Sequence, residues 1–293
     1  MNEAVSRPNY TSALPTRVGV IFGDLGQLNV SALKYLIAYL NTLQRSFEFE
    51  LLESNSNDPL ITLLKPGEVV DRESCRLMLP AFQTRIIGQI AREQQQYRLA
   101  DNSTPHGFVI ISMARFSDEH YGLKSGDLQV QALGDWERRM APPSIFEFMI
   151  TLLLRQAASF RAPAVSKSIH LGTKGCLFDF TPELGDVRYK SLQAYVCSIC
   201  RERLRANGFA DVADDLVQAL DTRWLGKLDD PYSPASIVGK LGYNLFVTQG
   251  IKPTWSEVVR DTLRDEGTKE LVKLIGAVML AALLLWLGLS GKK

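Results

Sequence analysis

Apolar residues along this chain recur with two different periods, and the switches between them mark its elements. Val18 to Phe22 is a short apolar run closed by Gly23. From Val30 to Leu43 the apolar positions Leu33, Leu36, Ile37, Leu40 and Leu43 fall at helical spacing behind Asn29 or Ser31 as cap. That order predicts a strand and then a helix. Phe47 to Leu52 alternates as a strand, and Ser54 to Asp58 is a polar turn. Arg72 to Arg98 gives a second helical pattern through Leu77, Ile86, Ile87, Ile90 and Ala91, with Pro80 as a point of interruption. Gly107 to Met113 is a near-continuous apolar run of the kind a strand buried on both faces shows. Pro142-Pro143-Ser144 starts a helix from about Ile145 to Phe160 with a broad apolar face, and Val187 to Asn207 reads as another, ended at Gly208. Residues 209–252 read as helical fragments separated by Pro231, Pro234 and Gly250, and Thr254-Trp-Ser-Glu257 has capping-box spacing. Alternating strands and helices predict an α/β fold with a mixed or mainly parallel sheet flanked by helices.

Composition narrows the class. The 293 residues are 46% hydrophobic and 22% charged, an ordinary globular balance that excludes collagen-like, disordered and disulfide-scaffold chains. Thirty-three Lys and Arg against 32 Asp and Glu give +1, so no nucleic-acid partner is expected. Lys273, Lys292 and Lys293 lie beyond the last acid, so residues 1–270 carry 30 bases against 32 acids and the tail is cationic.

The tail is also apolar. Leu274 to Leu289 is a sixteen-residue segment, LIGAVMLAALLLWLGL, without a charge. As a helix it spans about 24 Å, close to the ~30 Å hydrocarbon core once Lys273 and Lys292 snorkel. It predicts a C-terminal transmembrane helix inserted after synthesis, with the bilayer as partner and the bulk of the chain in the cytoplasm. The N-terminus, polar around Pro8 and Pro15, has no signal-peptide h-region.

In that reducing compartment the four cysteines, Cys75, Cys176, Cys197 and Cys200, point to metal or redox chemistry rather than disulfides. His170-x5-Cys176-x20-Cys197-x2-Cys200 gathers one histidine and three cysteines. The Cys-x2-Cys pair offers two thiolates to one tetrahedral ion, and two distant ligands close the loop. A structural zinc on His170, Cys176, Cys197 and Cys200 is expected, with Asp179 or Asp186 as substitutes for His170. The Cys-x2-Cys pair does not read as a strand followed by a helix opening just after the first cysteine, which disfavours a thioredoxin-like redox motif.

The stretch HLGTKGCLFDFTPELGDVRYKSLQAYVCSICRERL resembles the zinc-binding tail of the archaemetzincins, metallopeptidase-like proteins in which the last histidine of an HExxHxxGxxH motif is followed by paired cysteines and later by Cys-x2-Cys. The resemblance places His170 at the final motif histidine, Cys176 at the second cysteine of the first pair, and Cys197 and Cys200 at the closing pair. Leu171 stands where the first cysteine would be, which favours His170 as its replacement. The strand GFVIISMARF and the helix after Pro142-Pro143-Ser144 suit the same order of elements, so the likeness extends over residues 15–205. This chain departs from the family where catalysis would sit. No histidine lies between His120 and His170, and beside Glu147 neither Phe146 nor Ile150 ligates metal.

Other candidates are weaker. Gly23-Asp-Leu-Gly26 lacks a phosphate-binding fingerprint and reads as a turn. His106, His120, Asp118 and Tyr121 offer a small polar site that reads more simply as a solvated loop, and Cys75 reads as a small core residue. The organisation expected is a flexible N-terminus (1–16), a metzincin-like α/β domain with a structural zinc (17–208), a helical region (209–270) and a tail anchor (271–293). The function expected is a membrane-tethered, non-catalytic zinc-binding adaptor or sensor, meeting a protein partner or itself, as in a bacterial defence or stress module. The alternative is a membrane-anchored zinc-dependent hydrolase with an atypical site.

Overall fold

The structure, a computed structural model, describes residues 14–26, 28–99, 104–134, 143–163, 170, 175–181 and 184–242. Its elements begin β1 (Thr16–Phe22), α1 (Val30–Leu43), β2 (Phe47–Leu52), α2 (Pro59–Leu63), β3 (Val69–Val70), α3 (Arg72–Tyr97), β4 (Gly107–Ser112), β5 (Arg115–Phe116), β6 (Gly122–Ser125) and β7 (Leu128–Ala132). The helices α4 (Ile145–Arg161), α5 (Leu184–Gln193), α6 (Ser198–Ala206), α7 (Ala210–Leu220) and α8 (Pro234–Lys240) follow, with a 3-10 turn at Thr222–Leu225. Among the described residues one sheet runs in the order β2-β1-β4-β7-β6. Its first four strands are parallel, and β6 is antiparallel to β7 at the edge.

The sheet is covered on both faces, which is why β1 and β4 are apolar on successive residues. Val18, Val20, Val109 and Ile111 face α1 and α4, whereas Ile21, Phe108 and Ile110 face α2 and α3. Helix starts follow local chemistry. Asn29, and not Ser31, caps α1 by accepting from the Ala32 amide, and Asp71 caps α3.

Three expectations change. Pro80 lies inside α3 without ending it: Pro80 and Arg76 are exposed, so the carbonyl that loses its partner faces water. Leu77 points outward at 75% exposure, and the buried stripe is Cys75, Leu79, Phe82, Ile86 and Ile90. Beyond Met113 the pattern predicts no strand, but the chain adds β5, β6 and β7. Gln129 and Gln131 break the apolar run of β7 yet are buried between β4 and β6.

Helix α4 carries the core. Twelve of its seventeen residues are buried, from Ile145 to Ala158, because the sheet covers one side and α5 and α7 the other. Each fully buried large side chain contributes about 1.5–3 kcal/mol. Residues of α7 and α8 (Val212, Leu216, Val238) join the same core. Asp215 fixes α7 to the turn before β2, accepting from the Arg45 amide at 3.0 Å and from the Ser46 amide and hydroxyl at 2.8 and 2.6 Å. Among the described residues no helix is long and apolar enough to cross a membrane. Leu274–Leu289 and the capping-box segment at Thr254 lie outside them.

Candidate metal centre

The continuous helix expected over 187–207 divides into α5 and α6, and the division builds the site. After Gln193 the backbone turns left-handed at Ala194 (φ 47°), and Tyr195 pairs with Cys176, accepting at its carbonyl from the Leu177 amide at 2.9 Å. Cys197 is extended (φ −65°, ψ 160°) and serves as N-cap of α6. Its Sγ accepts from the Cys200 amide at 3.4 Å, and Cys176 Sγ accepts from the Cys197 amide at 3.4 Å. An extended first cysteine followed at once by a helical turn aims both sulfurs at one point, where the positive helix end favours thiolates. Before Cys176, Gly175 sits at φ +82°, and a Cβ there would lie 2.4 Å from Gln193 Cγ, so only glycine fits.

His170 joins from a separate segment. Its carbonyl accepts from the Phe180 amide, and its imidazole Nε2 lies 3.2 Å from Cys200 Sγ and 3.5 Å from Cys197 Sγ. The donor atoms of His170, Cys176, Cys197 and Cys200 all lie within 4.8 Å of one another. Tetrahedral zinc with bonds of about 2.3 Å to sulfur requires donors about 3.8 Å apart, so the set fits that ion. These residues form a cluster able to hold a zinc ion. Of the alternatives to His170, Asp186 on α5 is not in the cluster, and Asp179 stands one shell behind it.

Asp179 is fully buried. Its Oδ1 accepts from His170 Nδ1 at 2.8 Å and its Oδ2 from the Cys176 amide at 3.1 Å. It therefore keeps the proton on Nδ1 and leaves Nε2 free for metal. Lys190, also fully buried, donates from Nζ to the Asp179 carbonyl at 2.8 Å and to Thr181 Oγ1 at 2.9 Å. Burial pushes its ammonium down to about 6 with Arg155 acting the same way, while Asp179 and Cys176 pull it back up. Neither this positioning role of Asp179 nor the burial of Lys190 shows in residue spacing.

The thiols share protons unequally. Donation from Cys200, together with the Cys197 and Phe178 amides, holds Cys176 down to about 5 against its burial, and the same contact pushes Cys200 up. Cys176, Cys197 and Cys200 would hold a dication as thiolates, the form that binds, and would release their remaining protons on binding it.

The other candidate residues do not assemble. Phe146 and Ile150 are buried in the core, and Glu147 is engaged in a capping box: its carboxylate accepts from the Ser144 amide at 2.6 Å, and its own amide donates to Ser144 Oγ at 3.3 Å. His106 precedes β4 and accepts from the Arg17 amide at 3.1 Å, whereas His120 sits beside Asp118 ahead of β6, at the other end of the sheet. Tyr121 turns its hydroxyl to Thr181 Oγ1 at 3.3 Å. Gly23 to Gly26 is a plain turn in which the Gly26 amide donates to Asp24. Cys75 is a core residue whose thiol burial pushes up to about 12.

No family model and no curated protein matches this sequence. Two solved structures are similar to it. One is an archaemetzincin from Methanopyrus kandleri, with a TM-score of 0.40 and 11% identity, covering 66% of this chain and 95% of that one. The other is an archaemetzincin from Archaeoglobus fulgidus in complex with malonate, with a TM-score of 0.36 and 9% identity, covering 64% of this chain and 99% of that one. What the four donors bind follows from their own chemistry and spacing.

Proposed function

We propose that this chain is a non-catalytic, zinc-stabilised adaptor or sensor domain held at a membrane by residues 274–289, with its described domain on the cytoplasmic side. The observation that carries the reading is the closed centre: His170, Cys176, Cys197 and Cys200 fill a tetrahedral zinc's coordination, leaving no position for a water nucleophile. Hydrolysis needs an open position and a carboxylate to take the proton. Asp179 is committed to His170 and the Cys176 amide, and Glu147 to Ser144. The anchor reading rests on the uncharged sixteen-residue segment, where each central leucine contributes about −0.5 kcal/mol toward insertion.

The test uses the full chain in detergent and in vesicles. One zinc per chain, retention in the membrane through carbonate extraction, and no zinc-dependent cleavage of a peptide library are expected. Cleavage lost in Glu147→Gln would restore the hydrolase reading, and extraction by carbonate would remove the anchor.

A further inference from the structure

Large apolar side chains are exposed on the elements that carry or adjoin the four donor residues. Phe180, Tyr189, Leu192, Tyr195 and Ile199 are large apolar residues, each between 37% and 59% exposed. The backbone brings them together. Phe180 follows Asp179 in the segment that pairs with His170, and Tyr195 pairs with Cys176. Tyr189 and Leu192 are one turn apart on α5, and Ile199 lies between the two cysteines that open α6. A Cβ on Gly175 would touch Gln193 and the Tyr189 carbonyl, which sets the cysteine loop against this helix. Helix α6 carries Arg201, Arg203 and Arg205 against Glu202, with Arg205 paired to Asp214 at 3.1 Å.

We propose that this zinc face is a second membrane contact, laid on the anionic bilayer surface to which residues 274–289 tether the chain. The inference rests on the anchor reading of those residues. Tyrosines mixed with aliphatic side chains and arginines are the chemistry of the headgroup boundary, where ring bodies enter the acyl edge and cations meet phosphates. Thirty-one residues separate Gly242 from Leu274, so the anchor keeps the domain beside lipid, and a surface of modest intrinsic affinity engages at high effective concentration. A zinc centre that rigidifies the knuckle pre-orders the contact, which lowers its entropic cost.

The full chain is reconstituted in vesicles of equal parts phosphatidylcholine and phosphatidylglycerol, with the photo-crosslinker p-benzoylphenylalanine replacing Leu192 or, as control, Leu77 on the opposite layer. Lipid adducts several times more abundant from position 192 than from position 77, and fewer in pure phosphatidylcholine, are expected. Equal labelling at the two positions, labelling undiminished in pure phosphatidylcholine, or adducts from position 192 to a second protein chain would overturn the proposal. Carbonate extraction of the same vesicles separates the two readings. A retained chain with a silent position 192 sinks the zinc-face contact alone, and an extracted chain sinks both.

Discussion

Replacing Asp179 by Asn is the sharpest probe of the metal centre, because it keeps the shape of the side chain and removes one acceptor. The carboxylate serves two buried donors at once, His170 Nδ1 at 2.8 Å and the Cys176 amide at 3.1 Å. An asparagine amide has one oxygen. Whichever way it turns, an NH2 group faces a donor with no water to relieve it, since position 179 is fully buried. A hydrogen bond to a charged group contributes about 1.5–3 kcal/mol, so one of the two is lost at roughly that cost. If the oxygen stays with the Cys176 amide, His170 is free to move its proton to Nε2, the atom that must bind zinc. Loss of a supporting partner of this kind weakens metal affinity by about 10–100-fold, or about 1.4–2.7 kcal/mol.

The assay is competition between the full chain and a chromogenic chelator, repeated with cobalt, whose spectrum reports ligand type. Asp179→Asn is expected to retain thiolate-to-cobalt charge transfer and tetrahedral d–d bands while its affinity falls within that range. Affinity within about twofold of the parent would refute the positioning role. A loss as complete as that of His170→Ala, with altered d–d bands, would make Asp179 a ligand in its own right.

Chelation of the zinc, or Cys200→Ser, is expected to lower Tm and open residues 184–206 to proteolysis, read by limited digestion, because binding energy at such sites is folding energy. Lys190→Met is expected to destabilise the fold by about 1–3 kcal/mol in urea titration, through loss of its hydrogen bonds to the Asp179 carbonyl and Thr181 Oγ1. The Cys75 thiol is raised to about 12 from 9, so below pH 9 its burial contributes in full, and that contribution falls as pH rises from about 9 to 12. Against Cys75→Ala, the parent is expected to lose more stability between pH 8 and 10, and alkylation of Cys75 should require unfolding. Asp215→Ala removes three hydrogen bonds to Arg45 and Ser46 and is expected to cost about 1–3 kcal/mol, measured by thermal melts.

Elements whose residues obey one period were legible in the sequence, and so was the grouping of one histidine with three cysteines. β1, α1, β2, β4 and α4 each satisfy a single pattern within a few residues, and the cysteine cluster announces itself through Cys-x2-Cys. What was hidden depends on partners distant in the chain. The stretch from Ser191 to Cys200 contains no Gly or Pro, and helical spacing runs straight through it. The break at Ala194 comes from pairing between Tyr195 and Cys176, nineteen residues earlier. Gln129 and Gln131 conceal β7 because their burial follows from strands on either side. Lys190 reads as a solvated charge until Asp179 and Thr181 are placed around it. Pro80 misleads for the converse reason, since a local rule fails where the bereaved carbonyl faces water.

The zinc and helix α4 act on one problem. Cys176, Leu177, Phe178, Val187, Val196, Cys200 and Leu204 lie in the same core as Phe148, Leu152, Leu153 and Ala157, so the cysteine loop and α5 join α7 in covering the side of α4 turned away from the sheet, with α6 packed on α7. Ten-residue α5 and nine-residue α6 are too short to persist unaided. An ion held by the four donors would pin the start of α6 and the loop before α5 to one point, which Asp179 and Lys190 tie to α5. Apolar packing thus covers α4 on both sides.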